Sequence, residues 1–190
     1  MDTTLNAETD SVIRGELASG ERLLWDGHPT QGIMFRPADA FMIPFSLLWG
    51  GFAFFWEYEV MSTEKASWFF MLWGIPFVVV GLYFIVGRFL VDAKQRANTF
   101  YGVTNQRIII VSGILSKKIK SLSLRTISDL SLDEKSNGSG IISFGASSFP
   151  TWWTRGMEWP GMPSPVPAFE LSESARTVFE LIRKAQGSAT

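Results

Sequence analysis

The groups in this chain able to do chemistry are mainly cations and aromatic rings. From Arg88 to Arg125 there are eight basic residues (Arg88, Lys94, Arg96, Arg107, Lys117, Lys118, Lys120, Arg125) against one acidic residue, Asp92, a net of +7 within a chain of formal charge -1. Such a block suits anions. Next to a membrane rich in anionic lipid, each cation contributes on the order of 1 kcal/mol, lost beyond a Debye length. Candidate headgroup ligands are Arg88, Lys94, Arg96, Lys117, Lys118 and Lys120. Setting membrane topology accounts equally well for Arg88, Lys94 and Arg96. No phosphate-cradling motif accompanies the block, so nothing points to one particular headgroup.

The second concentration is aromatic. Phe149, Trp152, Trp153, Trp159 and Met162 lie in FPTWWTRGMEWPGMPSPVP (149–167). Three readings stand side by side. Aromatic anchors dominate protein–protein binding; Trp is favoured at the membrane interface; the same residues can fold back as core.

Enzymatic chemistry finds no support. His28 is the single histidine and there is no cysteine. No GxSxG, P-loop, GxGxxG or metal-ligand spacing occurs. No catalytic residue, metal or cofactor is therefore expected, and the overall charge gives no reason to expect nucleic acid. Asp39 is the only charge in its apolar run, but it lies two residues past Pro37. That places it at headgroup level, paired with Arg36 or Arg88, rather than on an ion path.

These groups need elements to position them. Residues 37–56 (PADAFMIPFSLLWGGFAFFW) and 66–87 (ASWFFMLWGIPFVVVGLYFIVG) are each long enough to cross a bilayer core of about 30 Å as a helix. Pro44 and Pro76 are tolerated in such helices. Gly50, Gly51, Gly74 and Gly81 allow close packing, within the pair or in a larger membrane complex to which the chain is an accessory subunit. The connector 57–65 (EYEVMSTEK) is acidic, whereas Arg36, Arg88, Lys94 and Arg96 flank the outer ends. The positive-inside rule then places both termini of this multi-pass chain in the cytoplasm.

Residues 8–19 predict a short amphipathic helix, and 20–29 (GERLLWDGHP) a strand with Leu23 and Trp25 on one face. Five β-rich runs follow: 98–103, 107–113, 117–124, 127–132 and 140–146. Their turn signals predict one antiparallel meander. In KKIKSLSL (117–124), Lys118 and Lys120 share parity with Leu122 and Leu124. A bulge near Lys120 or departure from the sheet would resolve the conflict. Residues 172–187 predict a closing helix with Ala175, Val178, Phe179, Ile182 and Ala185 on its apolar face, Ser172 as cap and Gly187 as stop.

The run YGVTNQRIII (101–110), the lysine-bearing strand, the Gly-rich turn before IISFG (141–145) and the C-terminal helix resemble bacterial PH-like domain proteins. GERLLWDGHPTQG (20–32) and the paired spans resemble a membrane-anchored subgroup with two N-terminal transmembrane helices. The resemblance implies an α+β membrane protein, in which a transmembrane helical hairpin is followed by a cytoplasmic PH-like antiparallel β-sheet capped by a C-terminal α-helix. The expected organisation is a cytoplasmic arm over 1–35, the hairpin over 36–88 and the PH-like domain over 89–190. Residues 149–167 exceed a minimal PH-like pattern. The implied function is a non-catalytic interaction module, with membrane lipids, a protein partner or a second copy as partners.

Overall fold

The structure, a computed structural model, describes residues 2–63, 67–114, 116–145 and 166–189. The chain divides into two compact units, one containing Ile33–Asp92 and the other built from Met1–Gly32 and segments after Ala93.

The first unit is a pair of long helices, α2 (Asp39–Ser62) and α3 (Trp68–Ala97), both long and apolar enough to cross a membrane. The helix α2 continues through Glu57 and Glu59, which the sequence had assigned to the connector, and ends where Thr63 N–H donates to the Val60 carbonyl. Nothing in that acidic stretch breaks a helix, since it holds neither Gly nor Pro. Pro44 and Pro76 both lie inside helices. The helix α3 runs on past the apolar run to Ala97. Within it Tyr83–Gly87 is wound as a π-helix.

The two backbones touch at glycine. A Cβ on Gly81 would stand 3.0 Å from Gly50 Cα, and one on Gly50 would stand 2.6 Å from Ile85 Cδ1. Gly74 makes room for the Glu57 side chain. Gly50, Gly74 and Gly81 are thus occupied inside the pair, whereas Gly51 meets nothing.

The second unit holds two antiparallel sheets. One has the order β1 (Leu23–Gly27), β2 (Thr99–Thr104), β3 (Arg107–Ser112), β4 (Lys118–Ser123); the other has β5 (Leu130–Glu134), β6 (Gly140–Phe144), β7 (Ala168–Leu171). The expected single meander is broken between β4 and β5, which carry the Arg125-Thr126 turn between them and belong to different sheets. The strand before the hairpin joins the strand after it: Trp25 pairs with Val103 and Gly27 with Tyr101.

The core explains the pattern of the strands. Tyr101, Val103, Ile108 and Ile110 face the second sheet and the C-terminal helix α4 (Ala175–Ala189). Phe100, Ile109 and Val111 face the other way, against Ile13 of α1 (Asp2–Arg14). Because β2 and β3 are covered on both faces, they read as continuous apolar runs. Ile13 sits so close that a Cβ on Gly102 would approach its Cγ2 to 2.6 Å. Phe169 is the hub of the inner core, stacked on Tyr101 at 4.3 Å, edge-on to Phe144 at 4.9 Å and 5.7 Å from Trp25.

Three sequence expectations change. Leu23 and Trp25 do not share a face; the register shifts between them, so Leu23 packs toward Ile13 and Trp25 toward Phe169. In β4 no bulge occurs, since its pairing with β3 is regular from Lys118 to Ser123. Instead the core stops along the strand: Leu124 is buried, Leu122 and Lys120 half-buried, Lys118 exposed. Finally, α4 begins at Ala175, after Ser174 in a left-handed conformation (φ 56), and runs through Gly187. Ser172 is therefore not its cap. Ala175, Val178, Ile182 and Ala185 form its buried face, with Phe179 partly buried beside them.

Candidate interaction surface

The charged residues fall into those consumed by the fold and those that face outward. Glu21, preceding β1, has a side chain only 1% exposed. Arg107 grips it with two hydrogen bonds, Nε to Oε1 and Nη2 to Oε2, each 2.9 Å. Ala18 N–H and the Thr104 hydroxyl also donate to this carboxylate, at 2.8 and 2.7 Å. Thr104 Oγ1 in turn accepts from Arg107 N–H at 2.9 Å and Gln106 N–H at 3.1 Å, fixing the β2–β3 turn. Asn105 completes the joint by accepting from Arg22 N–H at 2.8 Å and donating its own N–H to the Arg22 carbonyl at 3.1 Å. Burial pushes the Glu21 carboxyl up, but the bonds from Arg107, Ala18 and Thr104 outweigh it and hold the carboxyl at about 2.

Two runs that carry the resemblance, GERLLWDGHPTQG (20–32) through its GER and YGVTNQRIII (101–110) through its TNQR, therefore supply the halves of one joint. In the sequence Arg107 stands in the basic block and in YGVTNQRIII, and Glu21 in GERLLWDGHPTQG, with nothing linking the two. The available signal was a carboxylate beside β1 and a Thr-Asn-x-Arg turn after β2, both next to β-rich runs.

Arg96 is also internal. It is 5% exposed and donates to the carbonyls of Thr30 at 3.0 Å and Gly32 at 2.7 Å. In the helical unit, Arg88 pairs with Asp39 at 2.7 Å and caps the π-turn by donating from Nε to the Phe84 carbonyl at 3.1 Å. Asp39 also accepts from Arg36 N–H at 2.6 Å, and the Arg36 guanidinium reaches Asp92 at 3.3 Å. Of the two ion pairings considered for Asp39, the one with Arg88 is made, while Arg36 reaches Asp39 through its backbone N–H.

The remaining headgroup candidates face outward to different degrees. Lys94 and Lys118 are exposed; Lys120 is half-buried; Lys117 is exposed and bonded to Glu16. Lys117, Lys118 and Lys120 are brought together at the start of β4, beside Ile119, which is 46% exposed. The sequence reading did not single out Ile119. Phe149, Trp152, Trp153, Trp159 and Met162 lie outside the described residues. Among the described residues no group of three His, Cys, Asp or Glu side chains is placed to hold a metal ion.

The second unit is thus a four-stranded and a three-stranded antiparallel sheet followed by a C-terminal helix. The family model "Bacterial PH domain" matches residues 40–176, and the chain belongs to that family. The match takes in both apolar helices and strands β2 to β7. Neither a curated protein nor a solved structure matches the chain. A PH-like domain is in general a non-enzymatic interaction module.

Proposed function

We propose that the chain is a non-catalytic adaptor, anchored in the inner membrane by two transmembrane helices with both termini cytoplasmic, whose PH-like domain docks a protein partner. The observation carrying this reading is the pairing of β1 with β2 although both apolar helices lie between them in sequence. A chain that crosses a bilayer twice returns to the side it left, so two strands of one sheet are compatible with an inserted two-span hairpin. Only Asn98 separates α3 from β2. The basic flanks Arg36, Arg88, Lys94 and Arg96 support a cytoplasmic domain side by the positive-inside rule, which counts Lys and Arg.

Protein is favoured over lipid because half of the eight basic residues of the block are engaged within the fold. Arg88 and Arg96 are buried, Arg107 grips Glu21 and Lys117 is bonded to Glu16. The small-residue faces that would suit an accessory subunit are occupied within the helix pair at Gly50, Gly74 and Gly81. An anionic-lipid reading retains the outward-facing Lys94 and Lys118.

Mass spectrometry of the full-length protein, gently extracted from its native membrane, tests the proposal. A stoichiometric protein partner is expected. A lone species or homo-oligomer retaining anionic lipid would contradict it.

A further inference from the structure

We infer that the free edge of β4 takes an extended acidic segment of the partner protein as an added strand; this rests on the docking reading above. The two sheets have four edge strands, and three are poor templates. The first, β1, has five residues and an irregular register at Leu24. The second sheet's β5 carries Asp133 and Glu134, which repel an acidic guest. Its other edge, β7, has four residues, and its Glu170 carbonyl already accepts from Thr30 N–H at 3.2 Å. By contrast, β4 has six residues, pairs regularly with β3 along its length and borders no further strand among the described residues.

An edge strand offers a row of unpaired backbone groups, and side chains at alternate positions set what can join it. Lys118 and Lys120 lie on one face of β4 and Ile119 on the other. In a symmetric antiparallel pairing of two copies, lysines would stand opposite or diagonal to lysines, which is unfavourable. An acidic–apolar–acidic tripeptide would place its carboxylates against the lysines and its apolar side chain on the Ile119 face. The lysines then act as a filter: they block self-pairing and admit an acidic strand.

The test uses full-length protein in its native membrane, with a photo-crosslinking amino acid replacing Ile119. The crosslinked segment should map to a partner stretch with acidic residues at alternate positions. Its yield should fall about tenfold in Lys118→Glu/Lys120→Glu, consistent with two reversed cross-strand pairs. The conservative Lys118→Arg/Lys120→Arg variant should retain it, and circular dichroism of both variants checks folding. Crosslinks to a second copy, to lipid or to a segment without acidic residues would overturn the inference. So would a yield indifferent to charge reversal. A stoichiometric partner in native mass spectrometry with no crosslink from position 119 would remove the β4 site and leave the docking reading standing. Absence of any partner would remove both.

Discussion

Glu21–Arg107 and Asp39–Arg88, two of the carboxylate–guanidinium pairs that join distant segments of this chain, are built differently. Glu21–Arg107 is a joint of the β-domain in which each carboxylate oxygen receives hydrogen bonds, while Arg107 also donates to the Glu16 carbonyl at 2.9 Å and the Ser121 hydroxyl at 3.2 Å. Asp39–Arg88 joins the two apolar helices, with both side chains at or below 10% exposure and Arg88 Nη2 left without a partner. The first pair fixes geometry, because it ties the segment before β1 to the β2–β3 turn. The second chiefly neutralises: each ion makes the other tolerable where water is scarce. Arg107 is 28% exposed and can rehydrate if its partner is lost; Arg88 has no such recourse.

The contrast orders the expected effects of mutation. Asp39→Leu leaves a buried guanidinium uncompensated and should cost about 3–5 kcal/mol. Adding Arg88→Leu should restore most of that loss, as apolar replacements of whole buried pairs commonly do. Thermal unfolding in detergent of the single and double variants checks this; a double variant no better than the single would break the neutralisation account. Glu21→Ala should cost less, about 2 kcal/mol, because Arg107 can turn to solvent.

The Glu21 joint also predicts a pH dependence. Its carboxyl lies below its ordinary value of 4.5, at about 2. Its contribution is therefore complete above pH 4.5 and is lost as pH falls from there toward 2, since the unfolded chain takes up the proton first. Denaturant titration of wild type and Glu21→Ala should show the difference between them shrinking over that interval. A constant difference would contradict the assignment.

Gly102→Ala tests the packing of α1 and should cost about 1–3 kcal/mol through overpacking against Ile13. Combined with Ile13→Ala, the cost should be clearly less than the sum of the two single changes. The smallest effect belongs to the outward-facing edge: Lys118→Ser should change stability by under about 0.5 kcal/mol. A larger loss would mean that β4 relies on Lys118 for folding rather than presenting it.

Much of this architecture was legible in the sequence. The apolar runs announce α2 and α3, the β-branched runs locate β2 and β3, and the spacing of Ala175, Val178, Ile182 and Ala185 identifies the buried face of α4. What was not legible depends on partners remote in sequence. A five-residue strand at Leu23–Gly27 gives no local hint that it pairs with residues beyond the two long helices. The continuous run Ile108–Val111 does not reveal that Ile109 and Val111 are covered by α1 while Ile108 and Ile110 face the inner core. Of the six headgroup candidates, Arg96 looks like a surface cation in sequence because its partners, the carbonyls of Thr30 and Gly32, are 66 and 64 residues away, whereas the pairing of Arg88 with Asp39 was among those the sequence suggested. The three clustered lysines were recognisable from composition, but not that they lie at β4, an edge strand among the described residues.

The central proposal, a domain split by a hairpin that crosses the membrane and returns, is most directly tested by side-specific labelling. The chain has no cysteine, so Ser11→Cys, Thr63→Cys and Ser188→Cys each introduce one unique thiol at an exposed position. A membrane-impermeant maleimide applied to intact cells producing the protein should label only position 63, with positions 11 and 188 reacting after permeabilisation. Labelling of 11 and 188 from opposite sides, or protection of 63 together with exposure of both others, would contradict the account.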